Sequence, residues 1–201
     1  MMKLIIFLTL LCMFSSSAGA LVCQSCANLQ CSSTITKTCS SETMCITASI
    51  QATSSGTTGQ QIYKDCASSS LCPIPGNQTF SVNVGFAGAR ASVQCCNTDN
   101  CNSQTLPFPG TQTTNSLQCA VCNPSTSQCT STVQCSGEES NCFQATVTNG
   151  SSAYPALGCM TPNTCAAAAS LGTLPFMAPR RAAPSAVDRA VVAPAYVTVP
   201  Q

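Results

Sequence analysis

Cysteine is the residue type with which this sequence could do chemistry. Of 18 cysteines, Cys12 stands in a leading apolar run and the others fall between Cys23 and Cys165. Cys23-x-x-Cys26 and Cys119-x-x-Cys122 have the spacing of zinc ligands, which would bind as thiolates. The same residues in an oxidising compartment form disulfides instead. An export signal therefore decides between the two readings, and it argues against zinc.

Other chemistry is thinly supplied. The chain has no His, so neither a catalytic triad nor an imidazole base can be assembled. Its six acidic residues show no paired arrangement, and Glu138-Glu139 reads as a solvated turn before Cys142. No catalytic residue, cofactor or metal is expected, and the protein is read as a non-enzyme. With seven basic and six acidic residues the net charge is +1, which gives no electrostatic footprint for nucleic acid. Two sequons, Asn77-Gln78-Thr79 and Asn149-Gly150-Ser151, are candidate N-glycosylation sites.

Residues 1–20 carry the marks of an export signal: Lys3, an apolar run from Leu4 to Phe14, and the small residues Ala18-Gly19-Ala20 before the cut. The apolar run is well short of the roughly 20 residues that span a bilayer, so no transmembrane segment is expected. With charged residues at 6%, aromatic residues at 5% and no Trp, material for an ordinary core is scarce. Disulfides are expected to substitute for it.

The chain repeats itself. Leu21-Val22-Cys23-Gln24-Ser25-Cys26 returns as Leu117-Gln118-Cys119-Ala120-Val121-Cys122. Cys31, Cys39, Cys45, Cys66 and Cys72 then answer to Cys129, Cys135, Cys142, Cys159 and Cys165. The first copy closes with Cys95, Cys96 and Cys101 in CCNTDNCN, ending at Asn102; no cysteine follows Cys165. The expected organisation is a complete module over 21–102, a Pro, Gly, Thr and Asn-bearing linker over 103–116, an incomplete and loosely ordered second module over 117–170, and a disordered tail over 171–201. The tail's prolines and arginines, so unlike the rest, point to an alternative splice form or a gene-model error.

Alternating apolar positions between the cysteines call for half-buried strands. Ile46, Ala48, Ile50 and Ala52 share a face, with the return at Gln60 to Asp65 making one hairpin. Phe80, Val82, Val84 and Phe86 alternate before a turn expected at Ala87-Gly88, making another. Phe143, Ala145 and Val147 lead to Asn149-Gly150, a strong turn pair. The fold class is all-β.

Hairpins held at their bases by closely spaced cysteines, opened by L-x-C-x-x-C and closed by CCNTDNCN, resemble the disulfide-rich three-finger (snake-toxin-like) domains of the urokinase-receptor and lymphocyte-antigen-six superfamily. Spacing alone cannot fix the connectivity of ten cysteines. The resemblance implies Cys23 with Cys45, Cys26 with Cys31, Cys39 with Cys66, Cys72 with Cys95, and Cys96 with Cys101. In the second, truncated copy it implies Cys119 with Cys142, Cys122 with Cys129, and Cys135 with Cys159, leaving Cys165 without a partner and able to link two chains. It also implies that Asn102 ties the chain ends together.

The functional expectation follows by analogy of fold. The tandem arrangement is similar to the gamma class of secretory phospholipase inhibitors and to urokinase-receptor-like proteins. It implies a secreted module that binds an extracellular protein, such as a phospholipase that it inhibits. The alternatives are a glycolipid-anchored receptor, which Asp188, Arg189, Pro194 and Pro200 in the last stretch do not support, and a secreted signalling or pheromone-like factor. The fingertips are expected at Thr53 to Gly59 and Ala87 to Arg90.

Overall fold

The computed structural model describes residues 19–28, 30–149 and 152–171. Most of the expected export signal, residues 1–18, and the tail from residue 172 onward lie outside them.

The first module builds three antiparallel hairpins: β1 (Val22–Cys26) with β2 (Thr34–Thr38), β3 (Met44–Ser54) with β4 (Thr57–Ala67), and β5 (Gly76–Asn83) with β6 (Ala87–Cys96). The second contributes β7 (Thr114–Val121) with β8 (Ser131–Ser136), then β9 (Asn141–Asn149) with β10 (Ser152–Met160), and ends in a helix, α1 (Pro162–Leu171). The fold is all-β and rich in disulfides, with two three-finger modules of which the second is truncated.

β3 shows how the sequence positions these elements. Its apolar residues Ile46, Ala48 and Ile50 enter a core with Leu71, Phe80 and Val93. The alternate residues Thr47 and Ser49 are completely buried as well, and buried hydroxyls need partners. The chain leaving the module supplies them: Thr47 Oγ1 donates to Asn102 O at 3.1 Å and Ser49 Oγ to Leu106 O at 2.6 Å. Lys64, only 4% exposed, donates to Ser103 O at 2.5 Å. Burial holds its pKa below the usual lysine value. The stretch read as a linker thus begins as a strap across the sheet, and Thr114 to Ser116 already belong to β7.

The two modules share one sheet, in the order β4-β3-β6-β5-β10-β9. β10 joins β5 through Cys159↔Asn83 and Met160↔Val82. Gly158 allows that approach, because a Cβ there would lie 2.0 Å from Asn83 O. Where a third hairpin would begin, the second module turns into α1. Thr161 caps it, its Oγ1 accepting from Thr164 N at 3.4 Å, Pro162 stands in its first turn, and an Ala run continues it. Ala167 joins the first module's core. Ser81 N donates to Thr161 Oγ1 (3.2 Å) and Thr164 Oγ1 (3.0 Å), and Thr161 N donates back to Ser81 O at 3.1 Å.

These contacts bear on the expected loosely ordered second module. β10 and α1 draw hydrogen bonds and burial from β5 and from the first module's core.

Candidate functional site

Eight disulfides pin the finger bases: Cys23–Cys45, Cys26–Cys31, Cys39–Cys66, Cys72–Cys95, Cys96–Cys101, Cys119–Cys142, Cys122–Cys129 and Cys135–Cys159. In each module two bridges stack, with Cys23 and Cys39 Sγ atoms 3.3 Å apart, as are those of Cys119 and Cys135. Sulfur clusters formed by Cys23, Cys39 and Cys66, and by Cys119, Cys135 and Cys159, have the compactness of a metal site. Every sulfur in them is bridged and so offers no thiolate. Asn102, 1% exposed, closes the first module. Its Oδ1 accepts from Gln24 N at 2.9 Å, and its Nδ2 donates to Gln24 O at 2.8 Å and Ile46 O at 3.0 Å.

The tips of the second and third fingers lie side by side. Ser54 pairs with Thr57, leaving Ser55 and Gly56, with φ of 49° and 82°, as a two-residue turn whose positive φ values match the twist of the flanking strands. The third tip is Val84-Gly85-Phe86, two residues before the expected turn: Val84 N donates to Ala87 O, and Gly85, at φ 86°, takes the left-handed position. Ala87 and Gly88 are strand residues. Ser55 N donates to Phe86 O at 3.0 Å and ties the tips together. Phe86, read from alternation as a strand residue, is 46% exposed on the tip.

Behind these tips opens a cleft of about 340 Å³, lined by Thr53, Phe86 and Arg90, by Pro109 and Thr111 of the strap, and by Glu139 of the second module. Glu138 is exposed, but Glu139 is fully buried, which corrects its reading as part of a solvated turn. The carboxylate accepts from Ser81 Oγ, from Ser136 N at 2.9 Å and from Ser136 Oγ at 3.3 Å. Arg90 stands 4.0 Å from it and donates to Ser136 Oγ. Arg90 is therefore no fingertip charge but a strand residue, opposite Ser81 and Gln51, that joins the modules. Composition could not reveal this pair, since each group is explained only by the other module. Glu139→Ala should lower stability by about 2 kcal/mol, because it leaves Ser136 N and the Ser81 and Ser136 hydroxyls short of an acceptor and removes the carboxylate that faces Arg90. Glu139→Gln, which keeps an acceptor oxygen, should cost less, and denaturant unfolding of both variants measures the difference.

The remaining predicted sites are dispersed. Asn77 is exposed in β5, 72 residues from Asn149 at the end of β9, whose sequon partners Gly150 and Ser151 lie outside the described residues. Asn149, expected as the first residue of the turn, ends β9 and pairs with Ser152. Cys165 is the free cysteine among the described residues, half-buried on α1, and burial pushes its thiol pKa up. No described helix is long and apolar enough to cross a membrane.

Comparison with known proteins matches this architecture. The chain is 30% identical over 113 residues to phospholipase A2 inhibitor CgMIP-I of Cerrophidion godmani, covering 54% of each chain. It is 32% identical over 89 residues to phospholipase A2 inhibitor NAI of Notechis ater, covering 42% of this chain and 43% of the relative. It thus spans about half the length of the curated relatives it matches. The u-PAR/Ly-6 domain model matches residues 19–104 and 115–174, the two modules that share the sheet, and the chain belongs to the u-PAR/Ly-6 domain family.

Proposed function

We propose that this chain is a secreted binding protein that inhibits a secreted phospholipase A2, using the joined tips of the second and third fingers of its first module. One observation carries the choice of surface. Phe86 stands exposed on a tip hydrogen-bonded to its neighbour and beside a cleft, the arrangement of an aromatic anchor with a neighbouring pocket. The likeness to two phospholipase A2 inhibitors supports the choice of partner. A family that acts by binding, together with a chain that has no His, supports a non-catalytic role.

Titrating the full chain into an assay of secreted phospholipase A2 tests the reading. Inhibition that saturates at a fixed stoichiometry is expected, and Phe86→Asp should weaken it by about tenfold or more. Absence of both inhibition and complex formation across the secreted phospholipase A2 classes refutes the reading.

The same reading places N-glycans on Asn77 and Asn149 and keeps Cys165 as a thiol able to link two chains. Because burial disfavours its thiolate, such linkage should form slowly at neutral pH and faster as the pH rises. A dimer band on non-reducing electrophoresis that persists in Cys165→Ser rules the linkage out.

A further inference from the structure

In the first module β3 is paired on both sides, by β4 and by β6, the latter from Cys45↔Cys96 to Ser54↔Ala87. β9 is its counterpart in the second module. Each starts beside the cysteine bridged to its module's first strand, Cys45 to Cys23 and Cys142 to Cys119. Among the described residues β9 pairs only with β10 and forms the outer strand of the sheet. Among the described residues, the lane that β6 fills beside β3 is open beside β9.

The two outer strands of the sheet are not alike. β4 carries Lys64 and Asp65, β1 packs along it, and Lys37 of β2 holds Asp65 at 2.7 Å. β9 reads NCFQATVTN, without a charge, a proline or a glycine. Charges, prolines and covering elements are the usual guards of a sheet edge, and an edge without them is a template for another strand.

The sequence also distinguishes among occupants. Counting on from Cys165 as β6 counts on from Cys72, this chain's own candidate strand would be residues 180–189. That run holds Pro184 together with Arg180, Arg181, Asp188 and Arg189, a poor sequence for ladder pairing. A second copy of β9 suits the lane better. Antiparallel pairing about Ala145 sets Gln144 of one copy opposite Thr146 of the other, Phe143 opposite Val147 and Asn141 opposite Asn149, so no like charges meet. β6 lies antiparallel to β3, and antiparallel is the direction that a two-fold axis supplies.

We infer that two copies of this chain associate edge to edge through β9, extending the sheet across both. The association is non-covalent and independent of Cys165.

Sedimentation equilibrium of the full chain carrying Cys165→Ser, with N-glycans removed because Asn149 ends the strand, tests this. A concentration-dependent dimer is expected. Gln144 and Thr146 are both exposed, so substitution there should leave the fold intact, as an unchanged unfolding temperature would verify. Gln144→Lys with Thr146→Lys sets lysines opposite each other and should raise the dimer dissociation constant by about tenfold or more. Gln144→Lys with Thr146→Glu sets opposite charges across the axis and should recover most of the parent's affinity. A parent that stays monomeric, whether its own residues 172–201 or nothing occupies β9, overturns the inference. So does a double-lysine variant that dimerises like the parent, or a Lys/Glu variant no tighter than the double-lysine one.

Discussion

Asn102→Ala should destabilise the chain by about 4 kcal/mol, the largest loss expected from any single side chain outside the disulfides. The variant leaves Gln24 N, Gln24 O and Ile46 O without their side-chain partner. An unsatisfied buried group costs about 1–3 kcal/mol. Gln24 lies in β1 and Ile46 in β3, so the loss loosens the first finger against the second, although Cys23–Cys45 and Cys39–Cys66 still join them. Asn102→Asp should be no milder. It keeps an acceptor for Gln24 N but loses both donated bonds and buries a carboxylate. Denaturant unfolding of the two variants checks this: a loss below about 1 kcal/mol in both would show that the closure is dispensable.

Gly158→Ala should cost about 3 kcal/mol, for a different reason. A methyl group at this position meets Asn83 O at 2.0 Å, Asn83 C at 2.9 Å and Val84 Cα at 3.1 Å. These are backbone atoms, which cannot swing aside as a long side chain would, so β5 and β10 must part, at the top of the range for overpacking. The cost should appear at the junction, as faster amide exchange in β10 and α1, and not within β3 or β4. Gly59→Ala is the control. A Cβ there has nothing within 4 Å, and the change should be neutral or slightly stabilising.

Much of the fold was legible in the sequence, because what specifies a finger is local. Alternation at Ile46, Ala48 and Ile50 marks one face of a strand, and cysteines at the finger bases mark where each hairpin begins and ends. α1 was legible in principle: Thr161-Pro162 followed by an Ala run is a helix start, but it stood in a module expected to be incomplete and loosely ordered. The third tip was misplaced because Ala87-Gly88 looks like a turn. The structure uses Gly85 for the positive φ, while Gly88 serves close packing, a Cβ there meeting Val82 O at 3.0 Å.

The candidate site was less legible because it is built between modules. Arg90 and Glu139 belong to different repeats, 49 positions apart in sequence, and neither repeat explains its own member. Glu139 read as a solvated turn residue because Ser-Gly-Glu-Glu has turn composition, and it does follow a turn, at Gly137 with φ 55°. What composition cannot show is that β5 stands over that turn and supplies Ser81. The strap was hidden similarly. Its composition is that of a linker, yet Thr47, Ser49 and Lys64 on the first module's sheet hold its carbonyls.

The truncated second module docks β10 and α1 on the first, so that both act as one body behind the fingertips. Hydrogen exchange, followed peptide by peptide through the full chain under native conditions, tests it most directly. Amides of β10 and the start of α1 should share the protection of β5 and β6, and lose it together in Gly158→Ala. Rapid exchange throughout β7 to β10 while β3 to β6 stay protected would contradict it, and would leave the first module standing alone.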